Sequence, residues 1–195
     1  MVGRTAETVQ AKRWTRQEYE RIVAAGLFDQ CGKVELVEGE IIEVAPMGSR
    51  HAAALGKTYT ALSKIVGDAL TIRIQMPLAT DPRSEPEPDV AVVQGRWEDW
   101  RDEHPSSACL VVEVADDSLE KDRRLKSSLY ARAGIEDYWI LNLTGRMLEV
   151  YRDPRPEPEA VCGWVYSSVR YLTPQQHISP LFAAEAAISV ATLMP

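Results

Sequence analysis

The sequence of 195 residues has few cysteines, no long apolar run and no surplus of positive charge. Its cysteines, Cys31, Cys109 and Cys162, are odd in number and widely spaced, so they form neither a disulfide framework nor a zinc-binding pattern. No apolar run approaches the length of a transmembrane helix, which excludes a membrane-spanning class. The first residues lack the apolar segment of a signal peptide, and we expect a cytoplasmic protein with reduced thiols.

The formal net charge is -7 at pH 7, which argues against a protein coated with basic side chains for nucleic acid. A local basic patch remains compatible with that total. Hydrophobic residues make up 45% and charged residues 26%, as in ordinary soluble globular proteins. A chain of this length can bury a substantial core, so we expect one domain over residues 1–195, with residues 1–13 loosely held.

The most informative stretch begins with a run of apolar residues at 110–114, interrupted only by Glu113. Such a run, bounded by polar residues, predicts a strand that is buried on both faces of a sheet. A carboxylate inside a buried strand is costly unless a positive group compensates its charge. Glu113 is therefore a candidate site residue.

A helix and a second strand follow this strand closely. Asp117 is a candidate N-cap, Glu120 stands at capping-box spacing, and Gly134 is a natural C-terminal residue for the helix. Residues 137–141 then predict another strand, which gives a βαβ unit with a right-handed crossover. Three helix residues share one face because they recur at every fourth position: Asp122, Lys126 and Tyr130.

The rest of the chain supplies further short elements. A capping box of Thr15 and Glu18 predicts a helix over 16–26, and Ser49 is a candidate cap for a helix over 50–66. The other predicted elements are a hairpin of 33–37 and 40–44, strands at 70–75, 90–93, 147–151 and 164–171, and a loop or short helix at 95–107. We leave the segment after Pro174 without a place. The predicted fold class is α/β, a single domain with a mixed central sheet flanked by helices.

Two acids adjoin strongly apolar strands: Asp89 precedes one strand, and Glu113 lies within another. If these strands are neighbours, the two carboxylates converge, and one pKa rises unless a cation lies between them. Mg²⁺ binds oxygen ligands and often needs only one or two carboxylates plus water. Such an ion activates water and stabilises charge on a phosphate. Lys126 is the candidate positive group that orients the nucleophile or stabilises the leaving group.

The position of Lys126 follows from helical geometry. It lies about two turns from Asp117, or roughly 13 Å along the axis at 1.5 Å per residue. If Leu125 and Leu129 face the core, Lys126 lies about 100° around the helix, at the rim of an open cleft. The alternative is a surface ion pair between Lys126 and Asp122, four positions earlier.

Several blocks together resemble the Uma-type endonuclease family of the PD-(D/E)XK restriction-endonuclease-like superfamily, over roughly residues 33–151. These blocks are Glu35–Glu40, His51, Pro88–Asp89, Glu113–Val114, Asp122–Lys126, Tyr130–Ala131, Gly134–Ile135 and Tyr138–Ile140. The resemblance implies a restriction-endonuclease-like fold and a homodimer. It also implies Mg²⁺ or Mn²⁺ held by Asp89, Glu113 and the backbone carbonyl of Val114.

The sequence departs from the superfamily pattern at one position. The pattern has a lysine two residues after the second acid, where this chain has Ala115. By the resemblance, the lysine has moved to the following helix, which makes Lys126 the first candidate and Lys121 the second.

Other residues keep two interpretations. Glu35 is either a further acid of the site or part of a solvated hairpin face, and His51 is either a site residue or a structural histidine. We interpret Tyr130 and Trp139 as packing residues. Three helix arginines fit a solvated face better than phosphate contacts: Arg123, Arg124 and Arg132.

Three functional hypotheses follow: a Mg²⁺-dependent endonuclease acting on DNA, a nuclease-fold binding protein without turnover, and a metal-dependent hydrolase of a smaller phosphate compound. The negative net charge weakens the first, because phosphate contacts supply much of the affinity for DNA. The acids on core strands weaken the second, because a pure scaffold does not need them.

Overall fold

Six strands form the central sheet of the protein. The computed structural model describes residues 10–195, so residues 1–9 of the segment expected to be loose lie outside it. The sheet has the order β3-β4-β5-β6-β7-β8. Its strands are β3 (Leu70–Ile74), β4 (Val90–Gln94), β5 (Leu110–Ala115), β6 (Asp137–Asn142), β7 (Met147–Pro156) and β8 (Trp164–Leu172). Only β5 and β6 are parallel, so the mixed α/β sheet is confirmed.

The connection between β5 and β6 is helical over residues 119–132 but not a regular α-helix. It consists of α3 (Leu119–Lys121), a π-helical turn at Asp122–Lys126, and α4 (Ser127–Arg132). The predicted N-cap is wrong by one residue, because Ser118 rather than Asp117 precedes the helix and no side chain caps it. The π-helical turn widens the helix by one residue per turn, which changes the face presented by the residues after it.

One face of the sheet is covered by α2 (Ser49–Leu62) and the C-terminal segment. This helix is shorter than predicted, and Gly48 occupies the cap position expected for Ser49. The segment left without a place forms β9 (His177–Ile178), β10 (Ile188–Ser189) and α5 (Val190–Leu193), and α5 packs against α2. Its apolar residues complete the core of this face: Ile178, Ile188, Val190 and Leu193, with Phe182 partly buried.

The opposite face is covered by the α3–α4 connection and by the hairpin of β1 (Val34–Val37) and β2 (Glu40–Glu43). The hairpin docks on the connection through contact of Val37 with Leu129. Helix α1 (Arg16–Ala24) begins with the predicted capping box of Thr15 and Glu18. The segment 95–107, predicted as a loop or short helix, contains a single 3-10 turn, Trp97–Trp100. No helix within residues 10–195 is long and apolar enough to cross a membrane.

Candidate active site

The structure brings Asp89 and Glu113 together on neighbouring strands. In the antiparallel register of β4 and β5, Val90 pairs with Val112. The next residues along the two strands, Asp89 and Glu113, therefore lie opposite each other. The backbone N–H of Asp89 donates to Glu113 Oε2 at 3.2 Å, and the N–H of Val114 donates to Asp89 Oδ2 at 2.8 Å. Both carboxylates are buried, at the end of β5 from which the helical connection leaves.

Lys126 lies beneath these carboxylates and not at a rim. It is 2% exposed, and its Nζ donates to Glu35 Oε2 at 2.6 Å and to Glu113 Oε1 at 3.4 Å. The predicted rim position is therefore wrong, because the π-helical turn ending at this residue changes the simple 100° progression. The alternative surface pair with Asp122 is not found among residues 10–195, where Asp122 instead accepts from the Ser118 hydroxyl at 2.5 Å.

Glu35 belongs to the same cluster. The interpretation as a solvated hairpin residue is wrong, because Glu35 is 1% exposed beneath the helical connection. Lys121 donates to its other oxygen at 3.1 Å, so both candidate lysines meet on this one acid. Of the two lysines, only Lys121 keeps a substantial exposed fraction, 31% of its side chain.

His51 contacts the cluster from the other face of the sheet. It lies in the first turn of α2, and its Nε2 is 2.8 Å from Asp89 Oδ1. The His51 ring is partly exposed, unlike the acids it adjoins.

Two side chains complete the cluster in ways that the sequence analysis did not anticipate. The hydroxyl of Tyr130, interpreted as a packing residue, donates to Glu113 Oε1 at 2.7 Å. The sequence places Tyr130 on the same helix face as Lys126, and this shared face is a sequence signal for two side chains that point at the same acid. The Gln75 side chain donates to Asp89 Oδ1 at 3.1 Å from a backbone position with φ of 48°. Nothing in the sequence around Gln75 indicated that role.

The electrostatics of the cluster are unbalanced. Burial raises the pKa of Glu113 to about 7. The positive charge of Lys126 lowers this pKa, and the negative charges of Asp89, Asp122 and Glu35 raise it. Burial also raises the pKa of Asp122. Burial alone would raise the pKa of Glu35 too, but its two lysines hold that pKa at about 2. The cluster therefore contains more negative charge than its own cations neutralise.

The imbalance extends to His51. Its hydrogen bond with Asp89 raises the pKa of the imidazole, although burial acts in the opposite direction. The charges of Asp89, Glu113 and Asp122 also favour the protonated ring.

The oxygen donors of this cluster bear on whether it can hold a divalent cation. Within residues 10–195, no group of three or more His, Cys, Asp or Glu side chains is arranged to hold a metal ion. A hard cation such as Mg²⁺ nevertheless needs only one or two carboxylates, with waters and substrate oxygens completing its shell. Asp89 and Glu113 supply that number, and the surplus negative charge is what a cation would relieve. The residues present fit such an ion.

Two of the three helix arginines hold the fold together. Arg123 donates to both oxygens of Glu149, and Arg132 pairs with Glu38 and Asp81, so the solvated-face interpretation is wrong for these two. Arg124 is exposed. Trp139 is fully buried in the core, as interpreted from the sequence.

Comparisons with known proteins agree with this architecture. The family model Uma2, with the description "Putative restriction endonuclease", matches residues 16–191 and confirms the resemblance. No curated protein matches the chain. A crystal structure of a putative nuclease belonging to DUF820 from Anabaena variabilis ATCC 29413 is similar, with a TM-score of 0.64 and 16% identity. The match covers 92% of this chain and 96% of that chain, which shows a shared fold.

Proposed function

Because the chain belongs to the Uma2 family, we propose that it is a metal-dependent endonuclease that hydrolyses phosphodiester bonds in DNA. One observation carries the proposal: Asp89 and Glu113 converge at the end of two core strands, buried and with insufficient positive charge around them. A cluster of this kind is costly to the fold, and a metal-binding role accounts for its presence.

Asp89, Glu113 and the backbone carbonyl of Val114 would hold the ion, Mg²⁺ or Mn²⁺. When bound, such a cation supplies an activated water and stabilises negative charge on the phosphate.

The surrounding side chains position the two acids. Tyr130 and Lys126 both donate to Oε1 of Glu113, while Oε2 accepts from a backbone N–H. Because Lys126 is buried, it acts on the reaction through Glu113 rather than by touching substrate. Hydrogen bonds of this kind fix the orientation of a ligand carboxylate, and their loss typically costs 10- to 100-fold in metal affinity or activity.

Two partly exposed groups lie where substrate could reach them. His51 adjoins Asp89, and its raised pKa favours a proton on the ring that can be exchanged with solvent. Lys121 keeps an exposed ammonium beside Glu35. We assign His51 to proton transfer at the site and Lys121 to contact with the substrate phosphate.

The proposal is tested by a cleavage assay with single-stranded DNA, duplex DNA, RNA and a small phosphodiester, each with Mg²⁺, Mn²⁺ or chelator. We expect metal-dependent cleavage of DNA by the wild type and a loss of at least about 100-fold for Asp89→Asn, since loss of a ligand exceeds loss of a supporting contact. Glu149→Gln is the matched control, because Glu149 is also a buried acid and lies outside the site.

Cleavage of DNA by Asp89→Asn at the wild-type rate would overturn the assignment of the site. Turnover of the small phosphodiester alone would support the hypothesis of a smaller phosphate substrate. Calorimetry with Mg²⁺ gives an independent readout, since an Asp89→Ala, Glu113→Ala double variant is expected to lose binding that the wild type shows.

A further inference from the structure

A cavity of about 750 Å³ lies between α2 and the C-terminal segment. The ionisable side chains that line it are all basic: Lys57, Lys64 and His177. Among residues 10–195, no carboxylate side chain lines this cavity, although the chain has a net charge of -7. A cavity with only basic ionisable groups in an acidic protein is complementary to an anionic ligand.

A second cavity, of about 250 Å³, lies at the N-terminal end of α2 and is lined by Arg50 and Arg146. Met194 joins the two cavities, because it lines the smaller one and its carbonyl accepts from Lys57 Nζ at 2.6 Å. We call the arginines and lysines that line these two neighbouring cavities, Arg50, Arg146, Lys57 and Lys64, the α2 track.

The α2 track begins beside the candidate active site. Arg50 directly precedes His51, whose ring contacts Asp89. Leu143, which also lines the smaller cavity, donates its N–H to the carbonyl of Ala115, two residues after Glu113. A ligand in the track would therefore extend away from the carboxylates along α2.

The charges of the track remain available for a ligand. Within the part of the chain that the structure describes, no ion pair involves Arg146, Lys57 or Lys64. Arg50 has one long contact, 3.7 Å to Asp116, and donates to a backbone carbonyl. Lys57 uses one of its three donors on Met194, so two remain.

Gly56 gives a second, independent indication. It lies in the middle of α2 and lines the larger cavity. Glycine within a helix destabilises it by roughly 0.5–1 kcal/mol relative to alanine. A Cβ atom at Gly56 would meet no atom of the described residues within 4 Å, so packing against that part of the chain does not require glycine here. A residue without a side chain allows a ligand backbone to approach closely.

We propose that the α2 track binds the sugar-phosphate backbone of the nucleic acid that is cut beside Asp89. This inference rests on the proposed function and deepens it, because it names the surface of the protein that holds the nucleic-acid strand away from the cut. Arg50 and Lys57 are separated by roughly 10 Å along the helix at 1.5 Å per residue. That separation spans about three nucleotides of one strand at 3.4 Å each.

The test measures binding separately from cleavage. Fluorescence anisotropy in chelator, with labelled single-stranded and duplex DNA long enough to span α2, is measured over a series of salt concentrations in the cleavage-deficient Asp89→Asn background. The track variant is Lys57→Gln, Lys64→Gln, Arg146→Gln. We expect its affinity to fall at least 10-fold and its slope of log K against log salt to decrease by about two to three, since each lost phosphate contact contributes about 0.7–0.9.

The matched control removes the same number of cations elsewhere: Lys12→Gln, Arg101→Gln, Arg155→Gln, all at exposed side chains. A second variant, Gly56→Leu, places an apolar side chain in the larger cavity without changing charge. We expect it to weaken binding while the protein remains at least as stable, because leucine is the better helix former. Equal binding by the track variant and the control, or unchanged binding by Gly56→Leu, would overturn the inference.

The two proposals fail in different ways. If the wild type binds DNA through the track but cleaves nothing with any metal, the endonuclease proposal fails and the track stands. If the same three substitutions in the active protein leave the KM for DNA unchanged, the track fails and the endonuclease proposal stands. If the single strand alone depends on the track, the substrate is single-stranded, and if the duplex depends on it, the substrate is double-stranded.

Discussion

Two buried polar clusters lie on the same domain and differ in their balance of charge. In the first, Glu149 is fully buried on β7 and accepts two hydrogen bonds from Arg123, at 3.0 and 2.7 Å. Asn142 and the hydroxyl of Tyr151 also donate to it, at 2.8 and 2.9 Å. Burial alone would raise the pKa of Glu149, but these donors together lower it.

The second cluster has more acids than cations. Glu113 shares Lys126 with Glu35, and Asp89 and Asp122 lie close enough to raise its pKa further. Lys126 and Lys121 together hold Glu35 in its charged form, while Glu113, which pairs only with Lys126 among residues 10–195, has a pKa of about 7. The first cluster is balanced by donors within the chain, whereas the second keeps a surplus of negative charge, which our proposal assigns to the binding of a metal ion.

Among the variants that test this comparison, we expect Lys126→Ala to have the largest effect on the free energy of unfolding. Removing one partner of a buried ion pair leaves an uncompensated charge and costs about 3–5 kcal/mol. We expect the free energy of unfolding, measured in urea, to fall by about that amount, because Glu35 and Glu113 would both lose their shared cation. This expectation replaces the small stability effect that a rim lysine would have had.

Lys121→Ala is the control for this prediction. Lys121 contacts the same Glu35 but is partly exposed, so its loss should cost about 1 kcal/mol or less. A melting temperature of Lys126→Ala equal to that of the wild type would contradict the comparison, since it would mean that the buried ammonium compensates nothing.

A smaller effect is expected when the acids themselves are neutralised. Glu149→Gln should destabilise the protein by about 1.5–3 kcal/mol, because it removes hydrogen bonds to a charged group that is fully satisfied. Glu113→Gln should cost less, since it removes one of several repelling charges while keeping the side-chain shape. Urea unfolding of both variants in chelator provides the measurement. A larger loss for Glu113→Gln than for Glu149→Gln would show that the second cluster is balanced after all.

Much of this fold follows from local sequence patterns. The strands around Glu113 and at residues 137–141 follow from the sequence, because short apolar runs bounded by polar residues are typical of buried strands. The capping box at Thr15 and the hairpin around Glu38 were likewise found where their side-chain chemistry indicated them. The meeting of Asp89 and Glu113 required only that their strands be neighbours, and they are.

The remaining features depend on tertiary structure. Regular α-helical geometry predicts Lys126 at the rim of the cleft. The π-helical turn that buries this residue has no signal in the local sequence. Glu35 alternates with apolar residues as an exposed strand residue would, but the helical connection covers it. The C-terminal strands have two residues each, too few for periodicity, and they take their position from contacts with α2.

The smallest effect is expected at the ion pair of Glu38 and Arg132, whose carboxylate is more exposed than those of Glu149 and Glu113, so the pair extends the comparison to the surface. Glu38 accepts from Arg132 at 3.0 Å, and the same guanidinium contacts Asp81. The hydrogen bond from Arg132 lowers the pKa of Glu38, although partial burial acts against it. A carboxyl group whose pKa is lower in the folded state stabilises the fold above its ordinary pKa, and this stabilisation disappears as the pH falls through the folded value. Glu38→Gln should therefore lower the free energy of unfolding by roughly 0.5–1 kcal/mol at neutral pH, and by progressively less below about pH 4.5.

Urea unfolding from neutral pH down to about pH 3, in a double-mutant cycle with Arg132→Gln, isolates the coupling between the two side chains. A coupling free energy that persists at the acid end of the series would mean that the contact does not depend on the charge of Glu38.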